Sequence, residues 1–141
     1  MPISPALRNT RRLIRASAIY DVLATAPLAT PWSFGLLHQF LGQFAPLPEF
    51  QPMHLLFVHL LASLVLVWAG LRLWRPVPAF GAADALARGL FFFWQIYFLL
   101  AGASPVLWVF AFFEAGFGIA QAWAYWRLSS REREFPKLET Q

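Results

Sequence analysis

Residues 53–74 read MHLLFVHLLASLVLVWAGLRLW, and the architecture turns on this stretch. It holds no Asp, Glu, Lys or Arg before Arg72, and Arg75 and Pro76 close it. An α-helix rises about 1.5 Å per residue, so about 20 apolar residues cross the roughly 30 Å hydrocarbon core of a bilayer. Three more segments of similar character lie at residues 13–32, 85–101 and 105–127. The basic residues punctuate them. Arg8, Arg11, Arg12 and Arg15 precede the first segment; Arg72, Arg75 and Arg88 flank the connection between the second and third; Arg127, Arg131, Arg133 and Lys137 follow the fourth. The connections at residues 46–52 and 102–105 contain no Lys or Arg. Short loops rich in Lys and Arg stay cytoplasmic. The expectation is an all-α, integral membrane four-helix bundle with both termini cytoplasmic, a multi-pass protein of a bacterial inner membrane.

Composition agrees. The chain has 141 residues, 59% hydrophobic and 13% charged, against about 25% charged in a soluble domain. Aromatics reach 18%, with fifteen Phe and seven Trp, which leaves too little polar surface to cover a water-soluble globule. One four-span domain, residues 1–127, accounts for most of the length, followed by a charged cytoplasmic tail at 128–141. The net charge of +4 reads as the orienting signal and as attraction to anionic headgroups. No aromatic-interleaved basic surface suggests nucleic acid as a partner. The absence of cysteine removes disulfides, thiolate nucleophiles and Cys-ligated metals. The N-terminus mimics a signal peptide, ending in Ala24-Thr25-Ala26. Tyr20 and Asp21 interrupt its apolar region and Pro27 would sit just after the cut, so a retained first helix is expected.

Along the chain, Pro27 and Pro31 predict a kink or break in the outer half of span one. Phe34, Leu37, Leu41 and Phe44 recur near helical spacing, which favours a short helix over residues 33–44 lying at the outer surface. Pro46, Pro48 and Pro52 make an extended loop. Residues 77–83 read as an inner loop, with Asp84 as the N-cap of span three. Gly102-Ala103-Ser104-Pro105 reads as a tight outer turn, with Pro105 at the first position of the next helix. Trp74, Trp123, Tyr125 and Trp126 fit an inner aromatic belt. No internal repeat suggests an inverted-repeat transporter.

The informative residues are those that lipid should exclude. A charge inside the bilayer costs up to about 3 kcal/mol to insert and faces the bundle interior. Depth counting places Glu114, Gln95 and His59 at similar levels, and Asp21 with Gln121 deeper, within reach of Arg72 and Arg88 and beside Tyr20. Each span has one stripe at helical spacing: Ser17, Asp21, Ala24 and Leu28; His59, Ser63, Leu66 and Gly70; Arg88, Phe91, Gln95 and Leu99; Ala111, Glu114, Gly118, Gln121 and Tyr125. Glu114, Gln95, His59, Asp21 and Gln121 are therefore the candidate binding residues. They either glue the helices together by hydrogen bonds or line a pocket or proton path. Small residues near Glu114 (Ala111, Ala115, Gly116, Gly118) serve either end. No metal site is expected, since His54 and His59 are five apart and off a common face. No nucleophile elbow, phosphate loop or dinucleotide fingerprint is present.

Four spans, the basic start Arg11-Arg12-Leu13-Ile14-Arg15, the proline-broken end of span one and a polar residue in span four together resemble the DoxX-like group of small bacterial inner-membrane proteins. Some of that group are linked to quinone-coupled oxidation, and the resemblance transfers no catalytic residue. A second likeness, to four-helix sterol-isomerase-like membrane proteins, would match Asp21 and Glu114 but not the residues around them. The leading expectation is an accessory or lipophile-binding protein that takes a hydrophobic ligand such as a lipid or quinone. A membrane enzyme on a lipophilic substrate and a proton-conducting oligomer are the alternatives. Whether the chain catalyses anything, and with which cofactor, stays open. Its partners are the lipid bilayer, and then a second copy or another membrane protein.

Overall fold

The computed structural model describes residues 4–134, with side chains described to residue 130. Among these residues there are five α-helices and no strand: α1 (Pro5–Thr25), α2 (Pro31–Gly42), α3 (Pro52–Trp74), α4 (Pro78–Leu100) and α5 (Leu107–Glu134). Proline opens four of them, at Pro5, Pro31, Pro52 and Pro78. A proline at the first helical position loses only an N–H that has no intrahelical partner there. Ser4 Oγ accepts from Leu7 N–H (3.3 Å) at the start of α1, and Thr30 Oγ1 accepts from Ser33 N–H (3.3 Å) at the start of α2.

Among the described residues three helices are long and apolar enough to cross a membrane: α3, α4, and α5 over Leu107–Ser130. Helix α1 carries Arg8, Arg11, Arg12, Arg15 and Asp21 and does not reach that composition. The burial pattern is inverted relative to a water-soluble protein. Among the described residues the buried apolar side chains are Ile14, Pro76 and five alanines, whereas Thr10, Ser17, Asp21, Arg72, Asp84, Arg88, Glu114 and Gln121 are buried among the polar ones. Leu23, Leu64, Val67, Leu100, Phe112 and Ile119 all point outward. A surface of this kind is solvated by hydrocarbon, so these helices contact lipid.

Helix α1 is the hub, packing against α3, α4 and α5, while α4 lies along α5. Small residues set these approaches. A Cβ at Gly81 would come within 3.0 Å of Ile14, and one at Gly118 within 3.3 Å of Arg88 Cβ. Helix α4 ends in a left-handed glycine cap. Gly102 has φ +92°, its N–H bonds Leu99 O (3.1 Å), and Ala103 N–H bonds Phe98 O (2.9 Å).

Three local readings change here. Residues 77–83 are not a loop: α4 starts at Pro78, so Asp84 is two turns inside the helix and not its N-cap. A Pro/Gly/Ala run resembled a linker, yet Pro78 opens the helix and Gly81 clears Ile14. Pro105 lies in a turn before α5, which opens at Leu107. Span one breaks after Thr25, with Pro27 in a 3₁₀ turn (Ala26–Leu28), and the short helix expected at 33–44 is α2, starting at Pro31. The charged tail beyond residue 134 lies outside the described residues.

Replacing Gly118 by Leu should wedge α4 from α5, costing about 1–3 kcal/mol and lowering the thermal midpoint in detergent by about 5 °C or more. Gly116→Leu, where a Cβ meets nothing within 4 Å, should leave the midpoint within about 1 °C.

Candidate functional site

Five ion pairs interlock at the centre of the bundle. Helix α1 supplies Ser17 and Asp21, one turn apart on its buried stripe. Helix α3 supplies Trp68 and Arg72, near a C-terminus whose free carbonyls favour a cation. Helix α4 supplies Asp84 and Arg88, four residues apart and therefore stacked on one face. Helix α5 supplies Glu114 and Gln121.

The two guanidiniums are the nodes. Arg72 Nη1 donates to Asp84 Oδ2 (2.5 Å) and to Ser17 Oγ (3.0 Å), and its Nη2 donates to Asp21 Oδ2. Arg88 Nη2 donates to both Asp21 oxygens (2.7 and 2.8 Å), Nε to Asp84 Oδ2 (3.0 Å) and Nη1 to Glu114 Oε2 (2.9 Å). Trp68 Nε1 donates to the other Asp84 oxygen (2.9 Å). Gln121 Nε2 donates to Ser17 Oγ (2.6 Å). Aromatic faces line the charges: Arg88 sits 5.8 Å from the Tyr20 ring and 5.2 Å from that of Phe117, and Arg72 is 5.6 Å from Trp68. Arg72 is fully buried and Arg88 is 2% exposed.

The carboxylates are held unequally. Asp21 and Asp84 each bridge both arginines, whereas Glu114 accepts a single hydrogen bond. Three carboxylates face two guanidiniums, so the fully ionised cluster carries one negative charge in excess. Glu114, 9% exposed at its edge, is the member with the least compensation. Two polar atoms in the cluster, Arg72 Nε and Gln121 Oε1, are buried without a partner.

Of the residues singled out from the sequence, Asp21, Glu114 and Gln121 enter this network. His59 and Gln95 form no hydrogen bond with it. The carbonyl of Leu28 can only accept, so His59 Nδ1 carries the proton it donates there (2.7 Å), which ties the broken end of α1 to α3. His59 also packs edge-on against Phe34 of α2. Gln95 lies further along α4, its Oε1 buried and unpartnered. His38 and His54 belong to the same outer aromatic group around Phe50, where His38 Nε2 meets Pro48 O (3.1 Å) and Gln51 N–H donates to His54 Nδ1 (3.2 Å). Among the described residues no group of three His, Cys, Asp or Glu could hold a metal.

Sequence reasoning missed Asp84 and Trp68. The usable signal was the Asp84–Arg88 spacing of four, which reads as an ion pair once α4 begins at Pro78. Comparison with protein-family models, with curated proteins and with solved structures finds no match for this chain.

Truncating one partner of a buried ion pair strands the other charge. Arg72→Met should destabilise the protein by about 3–5 kcal/mol in an SDS-unfolding titration. In a double-mutant cycle, Asp21→Asn combined with Arg72→Met should cost at least about 1 kcal/mol less than the two single changes summed.

Proposed function

We propose that this is a small accessory or lipophile-binding protein of a bacterial inner membrane, crossing it four times with both termini cytoplasmic. In this reading Glu114 meets the polar end of a hydrophobic ligand. The observation that carries it is the surplus carboxylate. A bundle glued only by ion pairs needs no third acid, and an incompletely paired carboxylate inside a membrane is costly enough to mark a working group. Helix α1 counts as the fourth span because Asp21, the charge that would keep it out of lipid, is neutralised by Arg72 and Arg88. Its length beyond Arg15, residues 16–25, is about 15 Å, and the 3₁₀ turn and α2 complete the crossing and rest at the outer surface.

Further apolar surface, lined by none of the cluster's side chains, lies beyond Asp21 on α1. A cavity of about 640 Å³ is bordered by Val22, Leu23, Ala26 and Pro27 on the α1 side and by Leu36 and Phe40 of α2. Pockets with apolar walls and a few polar groups suit lipophiles. The likeness to the DoxX-like group belongs to this proposal, carried by the helix layout and the proline break.

Native mass spectrometry of the purified protein, with extraction of what stays bound, tests the reading. Wild type should retain one lipophile species that Glu114→Ala loses while unfolding at nearly the same SDS concentration. Bulk phospholipid held equally by both proteins would assign Glu114 to bundle stability. Topology is tested separately, and the absence of native cysteine makes it direct. Ala103→Cys in intact cells should react with a membrane-impermeant maleimide, whereas Ser130→Cys should react only after lysis.

A further inference from the structure

We infer that the face where the start of α1 meets the end of α3 is a binding site for one phosphate-bearing lipid headgroup. The side of the membrane on which it lies rests on the topology proposed above; the chemistry of the site does not. A cavity of about 930 Å³ opens there, lined by Arg8, Arg11, Arg12, Arg15, Arg75 and Trp74. No acidic residue lines it, and among the described residues none of these five arginines takes part in an ion pair.

Orientation in the membrane requires only that positive charge be on one side. It does not require the charges to share a face around a cavity. Here they do: Arg8, Arg11, Arg12 and Arg15 recur at three and four residues, so they form a single stripe of α1, and Arg75 joins them from the end of α3. Like charges four apart on a helix repel, and α1 has no acidic residue in its first turn to offset cations near its positive end. A polyanion in the cavity relieves all of these at once. Arg11 Nε points the same way, buried with no hydrogen-bond partner, a donor that lacks its acceptor. Guanidiniums bind phosphate in a bidentate fork, and several around one cavity select phosphate over a single carboxylate.

The walls choose a lipid over a soluble phosphate. Trp74, 72% exposed, lines the cavity with Arg75 stacked 4.7 Å from its ring, beside Pro76 and Val77. Tryptophan beside arginine is the arrangement that lies at headgroup level, with the ring toward the acyl chains and the cation toward the phosphate.

The test places the protein in nanodiscs of phosphatidylcholine doped with phosphatidylglycerol and counts retained lipids by native mass spectrometry. Wild type should keep one phosphatidylglycerol in preference to phosphatidylcholine. The Arg11→Gln/Arg15→Gln variant, and independently Arg75→Gln, should weaken that retention at least tenfold. The charge-matched control Arg127→Gln/Arg131→Gln should not. Equal loss in the control, or equal retention in all variants, would mean diffuse attraction and overturn the site. Saturation by inorganic phosphate at the concentration that phosphatidylglycerol requires, in discs of phosphatidylcholine alone, would overturn the lipid assignment in favour of a soluble phosphate.

Discussion

Everything in this bundle depends on two arginines that cannot be left unpaired. Arg72 and Arg88 come from different helices and are both sealed from solvent. Each reaches Asp21 on α1 and Asp84 on α4, so one four-centre arrangement fastens three helices, and Arg88 adds α5 through Glu114. In hydrocarbon no apolar gradient drives helices together, because lipid tails are as apolar as leucine. Association must come from close packing and from polar groups that have nowhere else to go. This network is the second kind, and Gly81 and Gly118 supply the first.

The network also explains how α1 can belong to a membrane bundle without looking like a span. Its buried stripe is Thr10, Ile14, Ser17, Ala18 and Asp21, mostly small or polar. Such a helix would be a poor crossing element alone. Surrounded by α3, α4 and α5 it presents those groups to partners that satisfy them, and Arg8, Arg12 and Arg15 at its start remain exposed. In the four-span arrangement proposed above, the later helices make the first one compatible with the bilayer.

How much of this was legible in the sequence differs from helix to helix. On α1 and α5 most of the periodic stripe held, because Ser17 with Asp21, and Ala111 with Glu114, Gly118 and Gln121, face inward, whereas Tyr125 at the end of the α5 stripe is exposed. On α3 the stripe drawn through His59, Ser63 and Gly70 missed: Ala62, Ala69 and Arg72 are buried, and Ser63 and Gly70 are exposed. A helix apolar on all sides gives no moment to read, so one histidine was allowed to set the phase. His59 turned instead to the Leu28 carbonyl, a partner that exists only because α1 breaks at Pro27. That interaction depends on a tertiary break and leaves no trace in local spacing. On α4 a proline and a glycine hid a helix start, and with it the second carboxylate of the network.

The distribution of charge along the bundle separates structure from work. Asp21 and Asp84 are each shared by two arginines, and removing either would strand a cation in a low-dielectric interior, where a lone charge is far costlier than a pair. Their role in holding the fold is complete as it stands. Glu114 differs: Arg88 already has two aspartates, and the glutamate adds a third acid to a cluster that two would balance. Natural cores retain a buried charge beyond what pairing needs when something else must meet it. The same reasoning applies at the surface with the sign reversed, where five arginines gather around a cavity that, among the described residues, no acidic side chain lines. One site holds an acid in excess on α5, and the other holds bases in excess along the start of α1. A ligand for each is the simplest way for both imbalances to persist in a protein this small.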